Sequence, residues 1–311
     1  MRLTATLTLA LCPLLLAQVV LAQEEQNAAP ADNLVTSAGY VPPTLTKVAP
    51  GQIILLYVRI SGAPVTQSVL ANTTPLPTSL GGFSVSLKQT FLNDPVLVPL
   101  AGIYPSDPCN GVAACTPLTA IMVQIPFELV PNVPGSRMPF NFATVTVSRN
   151  GVAGDPLPLQ AVPDNIHVIT SCDALPPAAN TPCTPIFKHA DGSLVSASTP
   201  AKSGEVLSMA AFGLGYPVSS VATGDLPQAP VTTDGVNVGF DFRPNTPAAK
   251  PGNNPTSAAI TRDGVGLYQI NFLVPAIPSG TPACGIGVVS NLTVSIGRTS
   301  SFDGAGICVQ P

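Results

Sequence analysis

The amino-acid sequence predicts an all-β protein built as two tandem β-sandwiches with Pro/Gly-rich loops. Three observations carry that prediction: apolar side chains recur at every second position in short runs, turn-forming dipeptides separate those runs, and one order of runs occurs twice.

The alternation is plain in several places. Phe83, Val85 and Leu87 alternate with Ser84 and Ser86, and Val236, Val238 and Phe240 alternate with Asn237 and Gly239. Ile270, Phe272 and Val274 alternate around Asn271, and the run stops on Pro275. A two-residue period places the apolar set on one face of a strand and the polar set on the other. No long helix-period pattern competes with it.

Punctuation follows the same logic. Asn110-Gly111, Asn150-Gly151, Asp191-Gly192, Asp234-Gly235, Asp263-Gly264 and Asp303-Gly304 read as turns, because glycine accepts positive φ and an Asx side chain bonds its own backbone. The 36 prolines fall at strand ends and in connections, where a missing N–H does little harm. With few lysines available, proline also protects the sheet edges.

The duplication extends over most of the chain. APGQIILLYV (49–58) matches KSGEVLSMAA (202–211), with Gly51 facing Gly204 and Gln52 facing Glu205. GGFSVSL (81–87) matches DGVNVGF (234–240), and 32 residues separate Gly51 from Phe83 and Gly204 from Val236 alike. AIMVQIP (120–126) matches QINFLVP (269–275), VTVS (145–148) matches LTVS (292–295), and LPLQ (157–160) matches ICVQ (307–310). An order of elements repeated once at this length indicates duplicated domains, not a solenoid of short repeats.

Six to eight short strands in about 130 residues make a two-sheet sandwich of immunoglobulin-like type, with a jelly roll as the alternative. The first sandwich is expected over 34–164 and the second over 165–311. The proline-rich segment 173–185 is expected to be stiff. The polar residues 23–33 are expected to form a disordered N-terminal tail.

The chain opens with Arg2, an apolar run from Leu3 to Val20, and Val20-Leu21-Ala22 before a polar Gln23. This reads as a signal peptide over 1–22, cleaved after Ala22, and places the protein outside the cytoplasm, secreted or periplasmic. An uncleaved anchor is the alternative. A lipidated Cys12 fits poorly, since Leu11 is bulky and the apolar run continues beyond it. No later stretch is apolar for long enough to span a bilayer as a helix.

Of seven cysteines, six remain once Cys12 leaves with the signal: Cys109, Cys115, Cys172, Cys183, Cys284 and Cys308. An even number in an exported chain indicates disulfides, and six cysteines permit fifteen pairings. Sequential pairing is the simplest: Cys109 with Cys115, Cys172 with Cys183, and Cys284 with Cys308. Zinc is disfavoured by the lack of paired C-x-x-C spacing.

Only 9% of residues are charged, and removal of Arg2 takes the net charge from −4 to −5. The scattered lysines and arginines form no basic stripe, which argues against nucleic acid as a partner. The catalytic inventory is thin. His167 and His189 are the only histidines, and no G-x-S-x-G elbow accompanies them. His189 sits in a turn-like KHADGS segment. Glu128 and Glu205 are the glutamates beyond the N-terminal tail and lie in different halves, whereas a glycosidase needs two carboxylates across one cleft. The aspartates before glycine lack a D-x-D-x-D calcium ladder. Asn271 is expected to bond a neighbouring loop backbone, and Gln269 to act likewise. With no tryptophan and five tyrosines, a stacking platform for sugars is poorly supplied. Asn72-Thr73-Thr74 and Asn291-Leu292-Thr293 are glycosylation sequons, of consequence only in a host that glycosylates them.

The run PIFKHADGSLVSASTPAKSGEVLSMAAFGLG (185–215), followed by YQINFLVPAIPSG (268–280), resembles a C-terminal module of secreted proteins from acidobacterial, Solibacter-type, soil bacteria. The first half carries APGQIILLYV, LGGFSVSL and VQIPFEL in the same order, so the resemblance covers both halves. It departs where the first half has Val123-Gln124-Ile125-Pro126 in place of the QIN triplet, and where Val195 and Thr199 replace two usual asparagines. The resemblance implies a TIG-like, immunoglobulin-like sandwich and no particular activity.

The functional expectation is a secreted, non-enzymatic module for adhesion, scaffolding or protein interaction, acting on a protein or a cell-surface polymer and needing no cofactor or metal. A glycan- or small-molecule-binding module is the alternative, and a hydrolase with a site in loops 88–118 or 216–233 is a third.

Overall fold

In the computed structural model the strands alternate buried and exposed side chains as the sequence requires: Phe83–Gln89 buries Phe83, Val85, Leu87 and Gln89, and Tyr268–Leu273 buries Tyr268, Ile270 and Phe272. The structure describes residues 33–36, 46–59, 65–90, 94–106, 118–132, 142–173, 183–244, 252–285, 289–297 and 302–311. The signal peptide 1–22, nearly all of the 23–33 tail, Cys109 and Cys115, and most of the proline-rich segment 173–185 lie outside the described residues.

The first half contains β1 (Asn33–Thr36), β2 (Thr46–Val48), β3 (Ile53–Val58), β4 (Val69–Leu70), β5 (Ser79–Leu80), β6 (Phe83–Gln89), β7 (Val96–Val98), β8 (Leu100–Ser106), β9 (Leu118–Gln124), β10 (Phe142–Arg149), β11 (Val152–Ala153) and β12 (Leu157–Ala161). One sheet has the order β1-β3-β9-β8-β4 and the other β2-β12-β10-β6-β5, with β7 on β6 and β11 on β10. Asn33, expected as the last tail residue, instead begins β1 and pairs with Val58. The two sheets share one core that includes Ile54, Leu56, Ile121 and Val123 from the first sheet and Phe83, Leu87, Val145 and Leu159 from the second. Burying each such side chain contributes about 1.5–3 kcal/mol.

The second half contains β13 (His167–Val168), β14 (Phe187–Lys188), β15 (Val206–Phe212), β16 (Val231–Thr232), β17 (Val236–Asp241), β18 (Ser257–Ile260), β19 (Tyr268–Leu273), β20 (Ser290–Ile296) and β21 (Phe302–Ile307). Its sheets run β13-β15-β19-β18-β16, with β14 on β15, and β17-β20-β21. A second core joins Phe187, Met209, Tyr268, Ile270 and Phe272 of one sheet to Val236, Val238, Leu292 and Val294 of the other. Phe187 and Phe272 meet edge to face at 6.1 Å. The single turn Ser171–Asp173 is the one helical segment among the described residues.

Strand pairing repeats in register. Ile53 stands opposite Gln124 and Val206 opposite Leu273, at the positions the sequence repeat aligns. Phe83 opposes Arg149 as Val236 opposes Ile296. Val48 lies parallel to Ala161, and Ala201 to Val309. The last match needs correction. Leu157 pairs with Val145 but Ala305 pairs with Leu292, so Leu159, not Leu157, is the counterpart of Ile307. A slip of two leaves the inward face unchanged, which is why the pattern alone does not detect it.

Two further differences concern turns and amides. Asp303-Gly304 is not a turn; it lies within β21 opposite Val294 and Thr293. Asn271 bonds no loop backbone through its amide. Its Nδ2 donates to Ser257 Oγ at 2.8 Å on the neighbouring strand, and its Oδ1 accepts from Gln269 Nε2 at 3.0 Å. Asn150 and Gly151 do form the hairpin turn from β10 to β11, both at positive φ.

Candidate functional site

The most elaborate polar constellation lies where the two halves meet. It is built on the turn before β3 and the end of β9. Gly51 takes φ 72°, and a Cβ there would overlap the Phe127 ring, so the turn admits only glycine. Gln52 closes the turn: its Oε1 accepts from Ala49 N at 2.9 Å. The same side chain reaches the second half, where Nε2 donates to Asn165 O and Oε1 accepts from Asn165 Nδ2, each at 3.2 Å. Asn165 Nδ2 also donates to Lys47 O at 3.0 Å. Gly213 lies against Asn165; its carbonyl accepts from Asn165 N at 2.8 Å, and a Cβ on Gly213 would collide with the Asn165 carbonyl.

Gln124, at the end of β9, is fully buried. Its Oε1 accepts from Gly224 N at 2.6 Å, and its Nε2 donates to Gly51 O at 3.4 Å. Leu76 N donates to Gly224 O at 2.7 Å. Thr223 Oγ1 accepts from Phe127 N at 2.9 Å and donates to Glu128 Oε2 at 2.7 Å. Tyr216 OH donates to Leu129 O at 2.5 Å, and burial, aided by the Glu128 charge, pushes its phenol pKa up. Phe127 belongs to the first half in sequence, but its ring packs into the second core. Buried amides with both ends bonded fix one relative arrangement, because any other would strand them without partners. Residues Asn33–Pro311 accordingly form one compact unit.

Each histidine is held by a carboxylate of the second half, His167 by Asp173 and His189 by Glu205. His189 Nδ1 is 2.5 Å from Glu205 Oε1, and Nε2 is 3.1 Å from Thr199 O. Its pKa is raised, first by the Glu205 hydrogen bond and further by Thr199 O, against a smaller opposing effect of burial. For Glu205 burial is the largest influence and raises the pKa, but His189 and the Lys202 backbone amide together hold it below the ordinary value. His167 Nε2 lies 3.0 Å from both Asp173 oxygens, and Thr170 donates to Asp173 Oδ2 through N and Oγ1 at 2.6 and 2.9 Å. Burial raises the Asp173 pKa most, yet the His167 and Thr170 hydrogen bonds bring it below the ordinary carboxylate value. Asp191 folds back on Ser193, accepting from its N at 2.9 Å and its Oγ at 2.6 Å.

Cys172 is joined to Cys183 and Cys284 to Cys308, each with Cα atoms 5.1 Å apart. Among the described residues no three His, Cys, Asp or Glu side chains gather as a metal site. Glu128 and Glu205 are not brought together: the first serves the joint and the second the His189 turn. No helix among the described residues is long and apolar enough to cross a membrane.

Sequence reasoning did not anticipate the joint. Its signal was present: Gln52 and Gln124 are amides inside apolar runs that both belong to the repeated segments. A glutamine at the end of a buried strand requires a partner, and here the other half supplies it.

No family model matches the chain, and no curated protein matches it. Among solved structures, the Yersinia pseudotuberculosis adhesin InvE is similar at 12% sequence identity and a TM-score of 0.19, over 90% of this chain and 59% of that one. The chain thus spans about three fifths of that structure's length.

Proposed function

We propose that this chain is an exported, non-enzymatic pair of immunoglobulin-like sandwiches, over 34–164 and 165–311, that serves as an adhesion, scaffold or protein-interaction module. Strand order supports the immunoglobulin-like reading. Lettered in chain order, β1-β3-β9-β8 and β13-β15-β19-β18 follow the ABED sheet, and β12-β10-β6 and β21-β20-β17 follow the facing GFC sheet. The N-terminal leader, cleaved after Ala22, and the disulfides support export. The sequence also resembles TIG-like modules of acidobacterial secreted proteins, a resemblance that implies an exported immunoglobulin-like sandwich and no particular activity.

The observation that carries the functional reading is the joint. Gln52, Gln124, Asn165 and Thr223 bond across the two halves, and His189 has both ring nitrogens engaged, one with Glu205 and one with Thr199 O. Polar groups that in an enzyme would face a cleft here hold a rigid body in shape, as a spacer or display element requires. The test is fractionation of the producing cells, followed by binding of purified protein to cells lacking the gene. Recovery outside the cytoplasm and saturable retention on the surface are expected. Recovery in the cytoplasm, or free protein with no surface or polymer retention, refutes the proposal.

A further inference from the structure

His189 joins three turns of the second half. It opens the 189–193 turn, where its N donates to Ser193 O at 2.9 Å and its O accepts from Gly192 N at 3.0 Å. Its Nδ1 lies 2.5 Å from Glu205 Oε1, in the turn that leads into β15. Its Nε2 lies 3.1 Å from Thr199 O, in the loop 194–200. An ionised carboxylate and a carbonyl oxygen only accept hydrogen bonds, so each ring nitrogen has to donate. The ring that satisfies both contacts is the imidazolium. A neutral imidazole has one N–H and turns a lone pair toward one of the two oxygens. The surrounding charges favour the imidazolium: Glu205 first, Asp191 at longer range, with burial opposing them and Lys202 acting on Glu205. Lys188, next in the chain on β14, is exposed.

We propose that His189 is a proton-operated latch: as the imidazolium it holds the loop 194–200 closed, and on losing a proton it releases Thr199 O while keeping Glu205. The order of release follows from the acceptors. A hydrogen bond to a charged acceptor is about twice as strong as one to a neutral acceptor, so the remaining proton stays on Nδ1, against the carboxylate. Nε2 then turns a lone pair on the Thr199 carbonyl. The other hydrogen bonds of Ser196, Ser198 and Thr199 close within the loop itself, on one another and on Leu194 O. Among the described residues, the His189 contact is thus the one that ties 196–199 to a neighbouring turn. Release stays local. Val195 packs on the second core at one end of the loop. At the other end Ala201 is fully buried, and its N donates to Cys308 O at 3.0 Å. The latch is complete below the ordinary histidine value of about 6.5 and opens as pH rises through the raised folded value. It operates whether or not the chain binds a surface.

Nuclear magnetic resonance of the full chain across a pH series tests the latch with two readouts. Ring 15N shifts report which nitrogen of His189 carries a proton, and solvent exchange, corrected for its intrinsic pH dependence, reports protection of backbone amides. Both ring nitrogens are expected to be protonated at low pH, and Nδ1 alone once the ring is neutral. Over the same titration Ser196 and Thr199 are expected to lose protection about tenfold, the weight of one hydrogen bond to a charged group. Ala201, Gly204 and Glu205 are expected to keep theirs. Glu205→Gln removes the carboxylate and is expected to move the transition to lower pH. His189→Gln, which leaves His167 as the remaining histidine, is expected to abolish it. Level protection of Ser196 and Thr199 through the wild-type His189 titration overturns the proposal, and this result needs no variant to fold. A neutral ring that keeps its proton on Nε2 overturns it too, as does a transition that persists in His189→Gln.

Discussion

Replacing Gln124 by leucine puts into the first half the residue that the second half carries at the equivalent position, and it tests the joint directly. The side chains are similar in size, so packing changes little. What is lost is the acceptor for Gly224 N, a 2.6 Å bond in a buried site, and the donor to Gly51 O, a longer 3.4 Å bond. An orphaned buried amide costs about 1–3 kcal/mol, and the weaker bond adds less than about 1 kcal/mol. Greater apolarity returns part of this, for a net loss of about 2 kcal/mol. Urea unfolding measures the loss, and amide hydrogen exchange at Gly224 localises it. Faster exchange at Gly224, with the Leu56 and Ile270 amides unchanged relative to global stability, is the expected pattern. Gln124→Glu sharpens the test. A carboxylate keeps the acceptor but loses the donor and carries charge into a dry site, so the loss at neutral pH is larger. Burial raises the folded-state pKa of this glutamate above the unfolded value, so part of the lost stability returns as pH falls through the folded pKa. A Gln124→Leu protein within about 0.5 kcal/mol of wild type, with Gly224 still protected, would refute the claim that these amides hold the halves together.

Three other perturbations follow from the same structure. Phe127→Ala removes a ring contributed by the first half to the second core and is expected to cost about 3–5 kcal/mol in calorimetric or urea unfolding, with the second half losing most. Replacing Cys172 and Cys183 together by serine opens a link across 11 residues; the chain-entropy estimate is about 3 kcal/mol, and equal midpoints for variant and wild type under non-reducing conditions would contradict it. The His189–Glu205 pair contributes up to about 1 kcal/mol. His189 is raised, so its share is complete below the unfolded value of about 6.5 and fades as pH rises through the folded value. Glu205 is lowered, so its share is complete above about 4.3 and fades as pH falls through the folded value. Asp191 and Lys202 act in the same directions on His189 and Glu205, respectively. A stability–pH curve for His189→Gln parallel to wild type from pH 4 to 8 would show that the pair contributes nothing.

Strand faces were legible in the sequence because a buried face forces a two-residue period whatever the partner, as in Phe83, Val85 and Leu87. The recurrence of strand pairing was legible because the same inward pattern is written in both halves of the chain. Register within the last strand was not, since Leu157 and Leu159 both point inward and either satisfies the pattern. Asp303-Gly304 misled for a related reason: a dipeptide suited to turns is also tolerated on an edge strand such as β21, which pairs on one side only, with β20, and composition alone cannot report that neighbour. The joint escaped because its partners lie about a hundred residues apart: Gln124 with Gly224, Gln52 with Asn165, Phe127 with Thr223. A single strand pattern records which face is dry, not what makes it dry.

That last distinction explains how the two halves came to differ. Gln52 and Glu205 cap the same turn through the same backbone bond, Ala49 N to Gln52 Oε1 and Lys202 N to Glu205 Oε2. A neutral amide stands where the second half covers the turn, and a carboxylate stands where, among the described residues, nothing lies within 4 Å of a Cβ placed on Gly204. The amide is required at the covered position because a buried carboxylate facing the Asn165 carbonyl would carry an uncompensated charge. At the open position a carboxylate is tolerated because His189 and partial solvation compensate it. The same reasoning orders Gln124 and Leu273: where a backbone amide had to be met the side chain is polar, and where no such amide is present it is apolar. Each half thus keeps the residues its inner core demands, and these strand ends differ because the second half covers one of them and not the other.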